Sequence, residues 1–201
     1  MILRTQHSGR RFLEVSRWLS RKFIRILSLL CDRLVLLWFR VTGPPRILNF
    51  SMRLNAEILR SHGAEIGRNK VRILPPITLH EAENHYGNLS IADGCIINGN
   101  NFFDLSAKIV LEEGVSIGPG VMILTHNRFN YNEFLEEKLV HMCGKKGVIV
   151  KKEAGIKAGA LITMGVVIGE NAVISGNAVV NRDVLANTFV AGVPAKVVRR
   201  I

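Results

Sequence analysis

The chain has 201 residues, 48 % apolar and 21 % charged, which excludes a disordered polypeptide and allows one domain with an extension. Its formal net charge of +11 sits mainly in residues 1–60, which hold twelve Lys or Arg against three Asp or Glu. That basic stretch lacks the readout features of a nucleic-acid binder, so no nucleic-acid partner is expected.

Residues 1–11 are polar and basic, with no apolar run leading to a cleavage site, so no signal peptide is expected. Residues 23–39 read FIRILSLLCDRLVLLWF, and Arg25, Asp32 and Arg33 interrupt them. A spanning helix needs about 20 largely uncharged residues, so this stretch is not expected to cross a membrane. Instead, Glu14, Arg17, Arg21, Arg25, Ser28 and Asp32 form one polar stripe, with Leu13, Leu19, Phe23, Ile26, Leu30, Leu34 and Leu37 largely away from it. Trp18 and Trp38 stand near the ends of the apolar stretch. The pattern predicts an amphipathic helix over residues 12–40. Two roles fit it: peripheral contact with anionic lipid, or packing on its own domain or a neighbouring subunit. Gly43-Pro44-Pro45 ends the segment. A second helix is expected over residues 48–60, ending before Gly63. Residues 1–61 therefore read as a helical extension and 62–201 as a second domain. Cys31, Cys95 and Cys143 are far apart and show no CxxC spacing. They argue against a disulfide framework or a cysteine zinc site, and fit a reducing cytoplasm.

Beyond the extension the chain repeats every six residues. Large aliphatics stand at Val150, Ile156, Ile162, Ile168, Ile174 and Val180. Two positions before each stand Val148, Ala154, Ala160, Val166, Ala172 and Ala178. The same pairing runs upstream in another phase, through Phe103/Leu105, Ile109/Leu111, Val115/Ile117 and Val121/Ile123, with weaker copies at Val71/Ile73, Ile77/Leu79, Leu89/Ile91 and Cys95/Ile97. A helix of 3.6 residues per turn cannot carry a period of six. A short strand and a turn can: two residues point inward, one outward, and Gly, Asn and Asp make the corner. Three such units form one coil, and stacked coils form a β-helix whose edges are exposed only at its ends.

These residues resemble the hexapeptide-repeat acyltransferases, and among them the galactoside, maltose and polysaccharide O-acetyltransferases. The resemblance covers residues 64–201 and includes the closing segment Ala191-Gly192-Val193-Pro194-Ala195-Lys196-Val197-Val198-Arg199. It implies a mainly β fold, a left-handed parallel β-helix, carrying an α-helical N-terminal extension. It further implies acetyl-CoA as acyl donor, a sugar or glycan acceptor, and a homotrimer with sites between subunits.

The repeat breaks once. Ile123 and Val150 are out of phase, and the polar stretch between them, about residues 125–147, has no hexad. A long loop on a rigid scaffold is where chemistry is sought. His126 opens that loop, at the position where related acetyltransferases hold their catalytic histidine. An imidazole, with an ordinary pKa of about 6.5, suits the general base that a sugar hydroxyl needs. By the same resemblance Ala158, Gly176, Asn181, Arg182, Lys196 and Arg199 are assigned to the donor, with the Ala158 N–H as oxyanion donor. Ala158 and Asn181-Arg182 depart from the Ser and Thr-Lys common in the family, so only backbone contacts carry over there. Asn101 and Asp104 are assigned to the acceptor, although Asn and Asp favour such turns in any case. No metal is expected, because no second imidazole follows His126 closely in the chain.

The expected activity is acetyl transfer from acetyl-CoA to a sugar hydroxyl in surface polysaccharide or lipopolysaccharide assembly. The place expected for it is the cytoplasm, at the inner face of the membrane. An N-acetyltransferase acting on an amino-sugar nucleotide, and a β-helix scaffold without catalysis, are the alternatives.

Overall fold

The computed structural model describes residues 28–43, 45–82, 85–128 and 133–201. The chain divides into two compact units, Met1–Val41 and Thr42–Ile201. Residues 28–42 form a helix, α1. Leu30, Leu34, Leu37, Trp38 and Val41 are exposed along one of its faces. No described helix is long and apolar enough to cross a membrane. The part of the amphipathic stripe before Ser28, with Trp18, and the polar residues 1–11 lie outside the described residues.

The second unit is a parallel β-solenoid of about five turns. Its first coil is β2 (Glu65–Ile66), β3 (Arg72–Ile73) and β4 (Ile77–His80). The second is β5 (Leu89–Ile91), β6 (Ile96–Ile97) and β7 (Asn101–Asp104), and the third β8 (Ile109–Leu111), β9 (Ser116–Ile117) and β10 (Met122–Ile123). An insertion follows, with β11 (His126–Asn127), α3 (Glu133–Leu139) and β12 (Gly144–Lys145). The fourth coil is β13 (Val148–Val150), β14 (Gly155–Ile156) and β15 (Leu161–Ile162). The fifth is β16 (Val167–Ile168), β17 (Val173–Ile174) and β18 (Val179–Val180). The chain closes with β19 (Thr188–Ala191) and β20 (Lys196–Arg200).

Corresponding strands stack into three sheets. The first is β4-β7-β10-β15-β18, the second β2-β5-β8-β13-β16 and the third β3-β6-β9-β14-β17-β19. Register is set by the six-residue pattern, because a one-residue slip would turn every inward aliphatic to solvent. Ile109, Leu111, Val148 and Val150 are wholly buried, and Val148 faces Ile109 while Val150 faces Leu111. The Ala column at 154, 160, 172 and 178 is at most 1 % exposed, so small and large side chains share each narrow coil. The weaker copies pack inward too, except that Val71 is only half-buried.

The corners are tight. A Cβ on Gly118 would lie 2.7 Å from the Ala158 nitrogen of the next coil, so the backbones approach there as only glycine allows. Asn171, Asn177 and Asn187 hold left-handed φ values of 56°, 57° and 56° at other corners, a conformation Asn tolerates better than most residues.

Both ends are covered. The strand β1 (Ile47–Leu48) pairs antiparallel with β4. Helix α2 (Met52–Ser61) begins at Ser51, whose hydroxyl accepts from the Leu54 N–H at 3.3 Å. This cap starts the helix later than the residue 48 expected from pattern alone. Leu54, Ala56, Ile58 and Leu59 are buried, and the Asn55 amide donates to the Ile73 carbonyl at 3.3 Å. At the other end β20 lies antiparallel on β19. One strand edge at each end of the stack is thereby paired.

Candidate active site

The phase break is an excursion from the corner between the first and second sheets. The chain leaves after β10, and its two feet, β11 and β12, pair antiparallel with His126 opposite Lys145. The Lys146 N–H donates to the Thr125 carbonyl at 2.8 Å, closing the base. The expected polar loop, over about residues 125–147, contains a short ladder, α3 and a 3-10 turn at Val140–Met142. His126 is thereby fixed to the scaffold, and its side chain is 28 % exposed.

Asp104 lies one coil away at the end of β7 and is completely buried. One carboxylate oxygen accepts from the Thr125 N–H at 2.7 Å and the His126 N–H at 2.9 Å. The same oxygen lies 2.7 Å from His126 Nδ1. The other accepts from the Ser106 N–H at 3.1 Å and the Ser106 hydroxyl at 2.7 Å. Thr125 ties the strands together, its hydroxyl donating to the Asp104 carbonyl at 2.8 Å and accepting from the Ala107 N–H at 2.9 Å. Burial pushes the Asp104 carboxyl up, but hydrogen bonds from His126, Ser106 and the Thr125 backbone outweigh it and hold it well below the usual range. A carboxylate therefore faces Nδ1, which makes Nδ1 the protonated nitrogen and leaves Nε2 as the basic one.

Asn101 and Asp104, both assigned to the acceptor from sequence, have internal partners. Asn101 is 1 % exposed. Its amide donates to the Asn98 carbonyl at 2.7 Å and its oxygen accepts from the Val121 N–H at 2.7 Å. Asp104 points at the histidine. Neither side chain offers an open surface to a sugar.

The assigned donor residues fall at three places. Ala158 and Gly176 stack at the corner between the third and first sheets, where the Asn177 N–H donates to the Ala158 carbonyl at 2.9 Å. The Ala158 N–H itself has no partner among the described residues. Asn181 and Arg182 follow β18 at the same corner as His126, two coils further on. Lys196 and Arg199 lie on β20, where the Arg199 guanidinium sits 6.0 Å from the centre of the Phe189 ring. All six are exposed except for that stacking. Within one chain they do not converge on His126.

Around His126 is a cavity of about 220 Å³ lined by Glu81, Ser106, Asn127, Arg128, Cys143 and Lys145 among others. A second, of about 170 Å³, shares Glu81, Ser106 and Lys145 and extends to His85 and Asn88. The sequence pattern does not single out Ser106, Thr125 or Lys145. The Asp104-Leu105-Ser106 triplet was the available signal, since an Asp accepting from the residue two places on makes an Asx-turn.

Nor does the pattern single out His80. No second imidazole stands close to His126 along the chain, yet the coils supply one across strands: His80 on β4 pairs with Asp104 on β7. His80, Asp104 and His126 each offer a ligand atom, all within 4.8 Å of one another. The donors already on Asp104 argue against a cation there, since it would have to displace them.

No family model matches the chain, and no curated relative matches it. Solved structures do. One is a hexapeptide-repeat acetyltransferase from Vibrio cholerae O1 biovar eltor, complexed with acetyl coenzyme A, with 26 % identity and a TM-score of 0.63 over 76 % of this chain and 79 % of that one. Another is a maltose O-acetyltransferase from Clostridium difficile 630, with 23 % identity and a TM-score of 0.65 over 86 % and 88 %. A galactoside acetyltransferase in complex with coenzyme A has 19 % identity and a TM-score of 0.61 over 86 % and 80 %. The last two speak for the fold alone. This chain is a β-solenoid whose structural neighbours are hexapeptide-repeat acetyltransferases.

Proposed function

We propose that this protein moves an acetyl group from acetyl-CoA to a sugar hydroxyl, in the assembly of a surface polysaccharide or lipopolysaccharide. The observation that carries the reading is the His126–Asp104 pair, 2.7 Å apart in a cavity at the foot of the excursion between β10 and β13. The Vibrio protein, 26 % identical, was crystallised with acetyl coenzyme A, which supports the donor.

The chemistry rests on the tautomer. With Nδ1–H donating to Asp104, Nε2 takes the proton of the acceptor hydroxyl as its oxygen attacks the thioester carbonyl. Asp104 stabilises the imidazolium that forms, as a carboxylate does behind any such base. The tetrahedral oxyanion needs an N–H donor, and Ala158 is proposed for it. The C–S bond then breaks, and His126 returns its proton to the departing thiolate. No covalent enzyme intermediate is needed. Ala158, Gly176, Asn181, Arg182, Lys196 and Arg199 are proposed to bind coenzyme A. Because they lie at separate corners, a homotrimer is the arrangement proposed to complete each site from two chains. The exposed apolar face of α1 is proposed to meet anionic lipid at the inner face of the membrane.

Calorimetric titration with acetyl-CoA tests the reading. Binding near one per chain is expected, and His126→Ala should keep it while losing at least about a hundredfold in transfer. A folded protein that binds no acetyl-CoA refutes the proposal.

A further inference from the structure

Besides His126, one more imidazole faces Asp104. His80 closes β4, in register with Asp104 on β7, and its side chain is 45 % exposed. Its ring is nearly parallel to that of His126, 8° apart with centroids separated by 6.0 Å. Phe102 stacks against it at 5.6 Å. The ring's place is therefore set by packing. Its polar atoms are unused: Nδ1 lies 3.8 Å from Asp104 and Nε2 3.8 Å from Glu81, both beyond hydrogen-bond reach. Among the described residues neither nitrogen has a hydrogen-bond partner. A half-exposed imidazole, held rigid beside the base with its donor and acceptor both vacant, is equipped to hold something brought to that base.

We propose that His80 is an acceptor-holding residue, binding the hydroxyl adjacent to the one that His126 deprotonates. This rests on the acyltransferase reading. A hydrogen bond is about 2.8 Å long, so two rings with centroids 6.0 Å apart can each reach one of two neighbouring oxygens. Glu81, next in the chain, lining the cavity and 3.8 Å from His80 Nε2, can accept a hydrogen bond from the same hydroxyl. The acceptor class this specifies is a polyol with vicinal hydroxyls. An acceptor carrying a single isolated hydroxyl would use His126 alone.

The test is steady-state transfer from acetyl-CoA to methyl glycosides of galactose, glucose, mannose and N-acetylglucosamine, and to maltose. The full-length wild type is compared with His80→Ala, His80→Gln and His126→Ala. For the best glycoside, His80→Ala should raise acceptor KM about tenfold, the worth of one lost hydrogen bond, with kcat within about threefold. His80→Gln, whose amide reaches toward the Nε2 position, should recover most of this. A deoxy derivative of that best glycoside, with the adjacent hydroxyl replaced by hydrogen, should lose about tenfold with wild type and no more than about twofold with His80→Ala. An unchanged acceptor KM in a folded His80→Ala overturns this inference and leaves the acyltransferase reading standing. So does a kcat loss equal to that of His126→Ala. Zinc inhibition that His80→Ala abolishes, with acceptor KM unmoved, also overturns it and gives the three side chains to a cation. A wild type that acetylates none of these acceptors refutes the inference together with the reading beneath it.

Discussion

Asp104→Asn keeps the shape of the buried side chain and removes its charge, and the hydrogen-bond network sets the response. The carboxylate presents acceptors on both sides, to Ser106 on one and to Thr125 and His126 on the other. An amide can present only one. With its oxygen toward Thr125 and His126, the NH₂ meets the Ser106 N–H, one donor facing another. Flipped, it would strand two backbone N–H groups and reverse the histidine tautomer. The first orientation is the cheaper, so the tautomer survives. The stability loss is that of one unsatisfied buried donor, about 1–3 kcal/mol. The catalytic loss is the charge-assisted part of the His126 bond, about 1.5–3 kcal/mol, which is roughly 10- to 150-fold in kcat. The assay is acetyl transfer with thermal melting and acetyl-CoA calorimetry on the same preparation. Donor binding should be intact, and the double variant with His126→Ala should be no slower than His126→Ala alone. A kcat within threefold of wild type in a folded Asp104→Asn would refute the claim that Asp104 supports the base.

Other consequences are as direct. The folded-state pKa of Asp104 is depressed. Its stabilisation is therefore fully present above its unfolded value of about 3.9 and is lost as pH falls further toward the folded pKa. The melting-temperature gap between wild type and Asp104→Asn should accordingly narrow below about pH 4, and a gap that widens there contradicts the assignment. Phe103→Ala opens a hole in a coil where that side chain is 1 % exposed, and should cost about 3–5 kcal/mol in urea unfolding. Gly118→Ala drives a methyl to 2.7 Å from the Ala158 nitrogen. It should lower stability by about 1–3 kcal/mol and disturb acetyl-CoA binding, both read by melting with and without ligand. Trp38→Glu places a charge on the exposed face of α1 and should weaken pelleting with anionic liposomes; unchanged pelleting removes α1 from the membrane proposal.

The coils were legible because a period of six has few physical solutions, and the buried columns from Phe103 to Val180 follow it position by position. The break was legible for the same reason: a regular pattern makes its own interruption visible, and His126 stands at it. What the sequence could not convey was contact across coils. Asp104 and His126 are separated by a coil along the chain, yet 2.7 Å apart in space. Asp104 read alone looks like one more turn residue. His80 lies two coils from His126 in a weak copy of the repeat, so no local pattern marked it. The start of α2 depended on the Ser51 hydroxyl, a single cap that hydrophobic periodicity does not register.

The footing of the excursion has an evolutionary meaning. The chain departs and returns between directly opposed residues, His126 and Lys145, so the coils above and below are joined as though nothing stood between them. Residues between the two feet can lengthen, shorten or be exchanged for another segment without moving a single rung of the stack. The part of the cavity wall contributed by Arg128 and Cys143 belongs to that replaceable cassette, while Ser106 in the wall and Asp104 behind His126 belong to the permanent frame. On the proposed function, a new substrate preference can thus be acquired by changing one segment, with His126 and Asp104 left untouched.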